Sequence, residues 1–259
     1  MKFMRKKHSD QNFMRLATIF YILCLFVSGC ALSHFEKNIP MKQTMKTFYT
    51  KEPINIDGVL DEPVWKKATA YPLYLSKDKT AAGQKLNEAG EVRFAWDKNF
   101  FYVAASFQDS DIVAQGKEDQ MHHYRYGDLC ELFLKPANES YYWELYATPA
   151  GKKTTFFFKQ KCALDFENYS SGLKVAANCL GTLNDSQDKD KSWTAEMAMP
   201  IKDLESYGYK FGQGANWKIL IGRYNYTRYL PETELSMTPQ LSETNFHLPD
   251  EYEDLELVR

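Results

Sequence analysis

The sequence predicts an all-β fold: an antiparallel β-sandwich with a few short helices. Three observations lead to it. About nine short runs of β-branched and aromatic residues alternate with Gly, Pro, Asn and Asp turn clusters. Aromatic residues make up 15% of the 259-residue chain, with 17 Tyr and 17 Phe, side chains that fit a pleated, half-buried surface. No long segment carries the 3.6-residue apolar period of a helix. The length suits one large domain, since all-β domains reach this size alone.

The first thirty residues read as targeting signal, not fold. Lys2, Arg5, Lys6, Lys7 and Arg15 form a basic region ahead of an apolar run at 16–27, LATIFYILCLFV. That run has the length of a signal-peptide core and is short for a membrane span. Val27-Ser28-Gly29-Cys30 resembles the bacterial lipobox, in which the cysteine is lipidated and becomes the mature N-terminus. Cys30 is therefore the expected lipidation site, residues 31–47 the tether, and 48–259 the folded domain. The resemblance implies a lipoprotein of the bacterial cell envelope, and Ala31 in place of Asp favours the outer membrane.

Along the domain, Ile54 and Ile56 suggest a short strand leading into an Asp57-Gly58 turn and a brief helix over 60–68. Residues 91–96 and 100–108 form a hairpin around Asp97-Lys98-Asn99. The acidic stretch 109–127 reads as a loop or broken helix. Residues 129–134 and 141–146 are strands joined by a Pro-Ala-Asn-Glu-Ser turn, followed by a strand at 153–159. Two further strands, 172–180 and 192–199, flank the polar tract LNDSQDKDK. A short helix at 201–207 ends at Gly208, a strong strand covers 216–227, and residues 255–258 close the sheet.

The strand pair at 124–149 carries the functional clue. Period-2 alternation puts Leu129, Glu131 and Phe133 on one face, and Tyr142, Glu144 and Tyr146 on one face of the next strand. A mid-strand carboxylate is costly unless solvated or paired, so this face is expected to open to water or to a polar ligand. Net charge near −2 argues against a nucleic-acid partner. Of five cysteines, Cys24 lies in the signal segment and Cys30 would carry lipid. Cys130, Cys162 and Cys179 remain, without metal-ligand spacing; Cys162 and Cys179 are compatible with a disulfide or with free thiols.

Taken in order, five pieces resemble the family 9 carbohydrate-binding modules: IDGVLDEPVW (56–65), VRFAWDKNFFYVAASFQD (92–109), GDLCELFLKP (127–136), WTAEMAMPIKDL (193–204) and NFHLPDEYEDLELV (245–258). The resemblance covers most of residues 54–258. It implies a β-sandwich that binds oligo- or polysaccharide between two aromatic side chains, without catalysis. Glu131 matches an acidic residue of the family's site, and Phe246 its second aromatic. Tyr124-Arg125-Tyr126 stands where binding members carry a tryptophan, and Glu144 where they carry an arginine.

Residues 124, 126 and 246 thus make a candidate clamp, Tyr124 and Tyr126 against Phe246, since an aromatic face desolvates the apolar side of a pyranose. Glu131 and Glu144 would accept from sugar hydroxyls while Arg223 and Asn225 donate; a structural Glu–Arg pair across the sheet is the alternative. No cofactor is called for, although Asp97 and Asp109 leave calcium open through their hard oxygen donors. His122-His123 is a weak metal candidate. Similar sandwiches serve as haem-binding or redox accessory subunits, for which Met197, Met199 and Met237 are the available axial ligands, and a scaffold domain without ligand is a third reading. Two Glu on neighbouring strands do not by themselves make a glycosidase.

Overall fold

A computed structural model describes residues 44–164 and 169–259. The basic apolar leader, Cys30 and the greater part of the expected tether lie outside the described residues. The strands are β1 (Met45–Tyr49), β2 (Tyr71–Pro72), β3 (Gly90–Trp96), β4 (Phe100–Gln108), β5 (Leu129–Pro136), β6 (Tyr142–Ala147), β7 (Lys153–Phe158), β8 (Lys174–Leu180), β9 (Ser192–Pro200), β10 (Trp217–Asn225), β11 (Glu234–Thr238) and β12 (Glu253–Val258). Short helices are α1 (Pro63–Lys67), α2 (Lys77–Ala81) and α3 (Ile201–Leu204).

The strands form one hydrogen-bonded path, β7-β6-β5-β10-β12-β1-β3-β4-β9-β8, with β11 added to β10 and β2 to β3. The domain is mostly β, as expected, but its sheet is mixed instead of antiparallel. β1 runs parallel to β12, pairing Met45 with Leu255 through Phe48 with Val258, and parallel to β3 at Phe48–Ala95 and Tyr49–Trp96. The cause lies in residues read as tether. MKTFY alternates buried Met45 and Thr47 with exposed Lys46, so it fills the slot between the two halves of the sheet. Residues 54–56 are extended chain instead of a strand, and β11 lies in the stretch between 227 and 255, for which the sequence predicts no strand.

The sheet folds back on itself, so that β6 packs on β8 and β9. Inward-facing residues of both halves make the main core: Phe94, Phe101, Phe107, Leu132, Trp143, Leu145, Trp193, Met197, Trp217 and Ile221, with others. Each large apolar side chain fully buried here contributes roughly 1.5–3 kcal/mol. All five indole N–H groups are satisfied. Trp143 donates to the Tyr169 hydroxyl at 2.6 Å, Trp193 to Asp109 at 3.1 Å, Trp217 to the Lys210 carbonyl at 2.9 Å, Trp96 to the Val258 carbonyl at 3.1 Å and Trp65 to Glu196 at 3.0 Å. The last bond ties α1 to β9. Glu196 also accepts the Asp57 and Gly58 backbone N–H groups, which anchors the 56–65 segment over the outer face of β3, β4 and β9. In the β3–β4 turn, Asp97 accepts the N–H groups of Asn99 at 2.6 Å and Phe100 at 2.7 Å and the Tyr102 hydroxyl at 2.9 Å, which is why this tripeptide turns.

Candidate functional site

The outer face of β5, β6, β7 and β10 bears a second apolar cluster that includes Leu129, Phe133, Tyr142, Tyr146, Phe156, Phe158, Leu220 and Phe246. The register brings the alternate residues together. Glu131 pairs with Tyr146 and Phe133 with Glu144 across β5–β6, while Glu131 pairs with Gly222 across β5–β10. The absent side chain at Gly222 lets the segment before β12 lie on the sheet: a Cβ there would stand 2.6 Å from the Phe246 ring. Gly127 plays a comparable part at the start of β5. Its φ of +139° and a hypothetical Cβ 2.1 Å from the Val113 carbonyl admit only glycine. Asp128 beside it then accepts the Val113 N–H at 2.6 Å and the Tyr226 N–H at 2.7 Å.

Between the sheet face and these loops lies a cavity of about 520 Å³. Its aromatic wall is Tyr124, Phe133, Phe156, Phe158, Tyr224 and Phe246; its polar groups include Glu131, Glu144, His122, Asn245 and His247. Phe246 meets Phe133 and Tyr224 edge-on, with ring centroids 6.0 and 5.9 Å apart. The two carboxyls are covered instead of open to water, 2% exposed at Glu131 and 4% at Glu144. The Tyr146 hydroxyl donates to Glu144. His247 Nε2 stands 3.7 Å from the same carboxyl, while its Nδ1 is 2.9 Å from the Tyr142 hydroxyl. Burial pushes Glu144 up to about 7 and Glu131 well above the usual carboxylate range, the Glu144 charge adding to the latter shift. Burial lowers His247, with nearby Lys161 acting in the same direction. The pair therefore retains a proton near neutral pH while His247 is uncharged, an arrangement that can both give and accept hydrogen bonds.

Of the seven residues singled out in the sequence, Tyr124, Glu131, Glu144 and Phe246 line this cavity and three do not. Tyr126 is 40% exposed and stands outside it. Arg223 and Asn225 are a correction. Arg223 pairs with Cys130 across β5–β10, one residue out of phase with Glu131, and so projects into the core. There it bonds Asp109 at 3.2 Å and the carbonyls of Gln108 at 2.6 Å and Glu88 at 3.1 Å, while Asn225 donates to Glu88 at 2.7 Å. Neither reaches the glutamates, whether as sugar ligand or as structural partner.

The remaining candidates are occupied by the fold. Asp97 and Asp109 spend their oxygens on the turn and on Trp193 and Arg223. His123 is bonded to Thr154 at 2.7 Å and to the Glu118 carbonyl at 3.0 Å, whereas His122 faces the cavity. Among the described residues, no group of three His, Cys, Asp or Glu side chains is placed to hold a metal. Met197 and Met199 fill the main core and Met237 the outer cluster. Cys130, Cys162 and Cys179 are free thiols. Sequence reasoning missed Phe156, Tyr224 and His247. Alternation from Phe158 and from Leu220 would have flagged the first two, but nothing local marks His247.

The profile of the family described as "Carbohydrate family 9 binding domain-like" matches residues 56–214. The chain belongs to this family. β10 to β12 and Phe246 lie beyond the matched residues, yet known structures extend the likeness across the fold. A candidate carbohydrate-binding protein from Bacteroides uniformis is 12% identical, with a TM-score of 0.61 over 83% of this chain and 99% of its own. A family 9 module from Caldicellulosiruptor kristjanssonii, solved with cellotriose, is 14% identical, with a TM-score of 0.57 over 83% and 94%. The same organism's module with glucose gives 13%, a TM-score of 0.56, and 82% and 95%. At these identities the likeness is one of fold. No curated protein sequence matches the chain.

Proposed function

We propose that the domain binds carbohydrate without catalysis, in the cavity between Tyr124 and Phe246, and that Cys30 lipidation anchors it in the bacterial cell envelope, at the outer membrane. The observation that carries the binding reading is the pairing of aromatic walls with buried, hydrogen-bonding carboxyls in one cavity of sugar-sized volume. Family membership supports it, as do the cellotriose and glucose held by the Caldicellulosiruptor modules. Rings take the C–H face of a pyranose, and Glu131, Glu144, Asn245 and His247 take its hydroxyls. The glutamates supply no reaction on this reading, because the site serves to hold a glycan.

The test is a glycan array probed with the full-length chain and with its Phe246→Ala variant. Binding to a defined set of glycans that the variant loses is expected; an array without binding overturns the reading. Product analysis of bound oligosaccharides after long incubation checks catalysis, with intact ligand expected. Metabolic labelling with a fatty-acid probe tests the anchor, the label being lost in Cys30→Ser.

A further inference from the structure

Resting on the carbohydrate reading and narrowing it, we propose that the cavity selects a sugar bearing a free ammonium group, a hexosamine whose amine is not acylated. The geometry begins with two buried acids crowded on one sheet face beside the Tyr146 phenol. The Tyr146 hydroxyl donates to Glu144 and also lies within reach of Glu131. Glu131, paired with Tyr146 across β5–β6, is buried and lines the cavity beside it. Among the described residues no lysine or arginine lines the cavity. The guanidinium of Arg125 is exposed and lies over the Tyr124 ring, 5.3 Å from its centroid, at the rim. The two acids thus face a cavity walled largely by aromatic rings, with the Lys161 charge acting on neighbouring His247.

An ammonium supplies what is missing. It brings three N–H donors and a positive charge, so both carboxyls ionise and each gains a charge-assisted bond. Tyr224, Phe133 and Phe246 add ring faces and edges around it, and a cation is favoured over a ring face. A hydroxyl at the same ring position offers one donor and no charge, and an acetamide offers one donor with added bulk. Of the other titratable groups facing the pair, four favour their neutral forms. Tyr142, Tyr224 and Tyr252 are kept neutral by burial. His247 is 3.7 Å from Glu144 and favours its neutral form. His122, Tyr124 and Cys162 lie in the remaining wall.

Three β-1,4-linked disaccharides that differ only at C2 test this: the glucosamine dimer, its N,N′-diacetyl form and cellobiose. Each is titrated calorimetrically at pH 7 into the full-length chain in detergent, in buffers of different ionisation enthalpy. The glucosamine dimer is expected to bind about tenfold or more tightly than either counterpart, releasing protons that cellobiose does not release. In Glu131→Gln and Glu144→Gln the ratio of amine to hydroxyl affinity is expected to fall to about threefold or less, with folding checked by near-ultraviolet circular dichroism. If cellobiose or the diacetyl dimer binds as tightly as the amine with no difference in proton release, amine selection is overturned and carbohydrate binding stands. If none of the three binds and the glycan array is also blank, the binding reading falls and this inference with it. Should the variants unfold, proton release by the unaltered chain still decides.

Discussion

Gly222 lies directly beneath Phe246, and a methyl group on its Cα would approach the ring to 2.6 Å. The strand floor and the loop wall of the cavity therefore meet through a residue with no side chain. Gly222→Ala is expected to push the ring off β10, to destabilise the chain by about 1–3 kcal/mol as overpacking does, and to weaken glycan binding about tenfold. Adding Phe246→Leu should recover stability in urea titration but not affinity. Unchanged affinity in the single variant would separate Phe246 from the site.

Removing either ring of the wall should cost affinity, whereas Tyr126 should not. Phe246→Ala and Tyr124→Ala are each expected to weaken binding about tenfold, the scale of one aromatic contact. Tyr126→Ala should leave it within about twofold, because that side chain is exposed outside the cavity. Calorimetry with the best ligand from the array measures all three.

Stability should depend on pH through Glu144, whose carboxyl burial raises from 4.5 to about 7. The folded form prefers the neutral acid, so its contribution is complete below about 4.5 and lost as pH rises through about 7. Urea unfolding is expected to show a chain less stable at pH 8 than at pH 5, by on the order of 2–3 kcal/mol from this group. Glu144→Gln should reduce that difference, leaving the part that buried Glu131 contributes. A steeper loss in the variant would contradict the assignment.

Arg223 should matter to folding and not to binding. Its guanidinium and the Asp109 carboxylate are both fully buried, 3.2 Å apart. Arg223→Ala leaves the acid uncompensated and should cost about 3–5 kcal/mol, read from the urea midpoint. The fraction that remains folded should bind glycan with unaltered affinity. A selective loss of affinity would return Arg223 to the site.

The outcome at Arg223 marks where the sequence stops being legible. Alternation within a strand is local, and it placed Glu131 with Phe133 and Glu144 with Tyr146 on shared faces. It also placed Arg223 with Ile219 and Ile221, but whether that face meets Glu131 depends on β5–β10 register, which only the folded chain fixes. A slip of one residue exchanges every side chain between core and cavity. Phe246 was reachable through the family likeness, whereas His247 was not, since its place beside Glu144 is set by a loop crossing from a strand more than a hundred residues earlier. β1 was missed because five residues with two inward positions carry little signal at the end of a stretch read as tether. The ordered motifs fared better, as the Trp65–Glu196 bond explains: two of them are joined by one buried carboxylate.

That central, parallel placement of β1 also bears on mechanics. A pull on the chain ahead of Met45 runs along a strand held on both sides, so its hydrogen bonds to β12 and β3 are loaded together in shear instead of opening singly from an edge. Tension between Met45 and anything gripped by β5 and β6 passes through β10 and β12 in turn, a load path that leaves out the terminal strands β7 and β8.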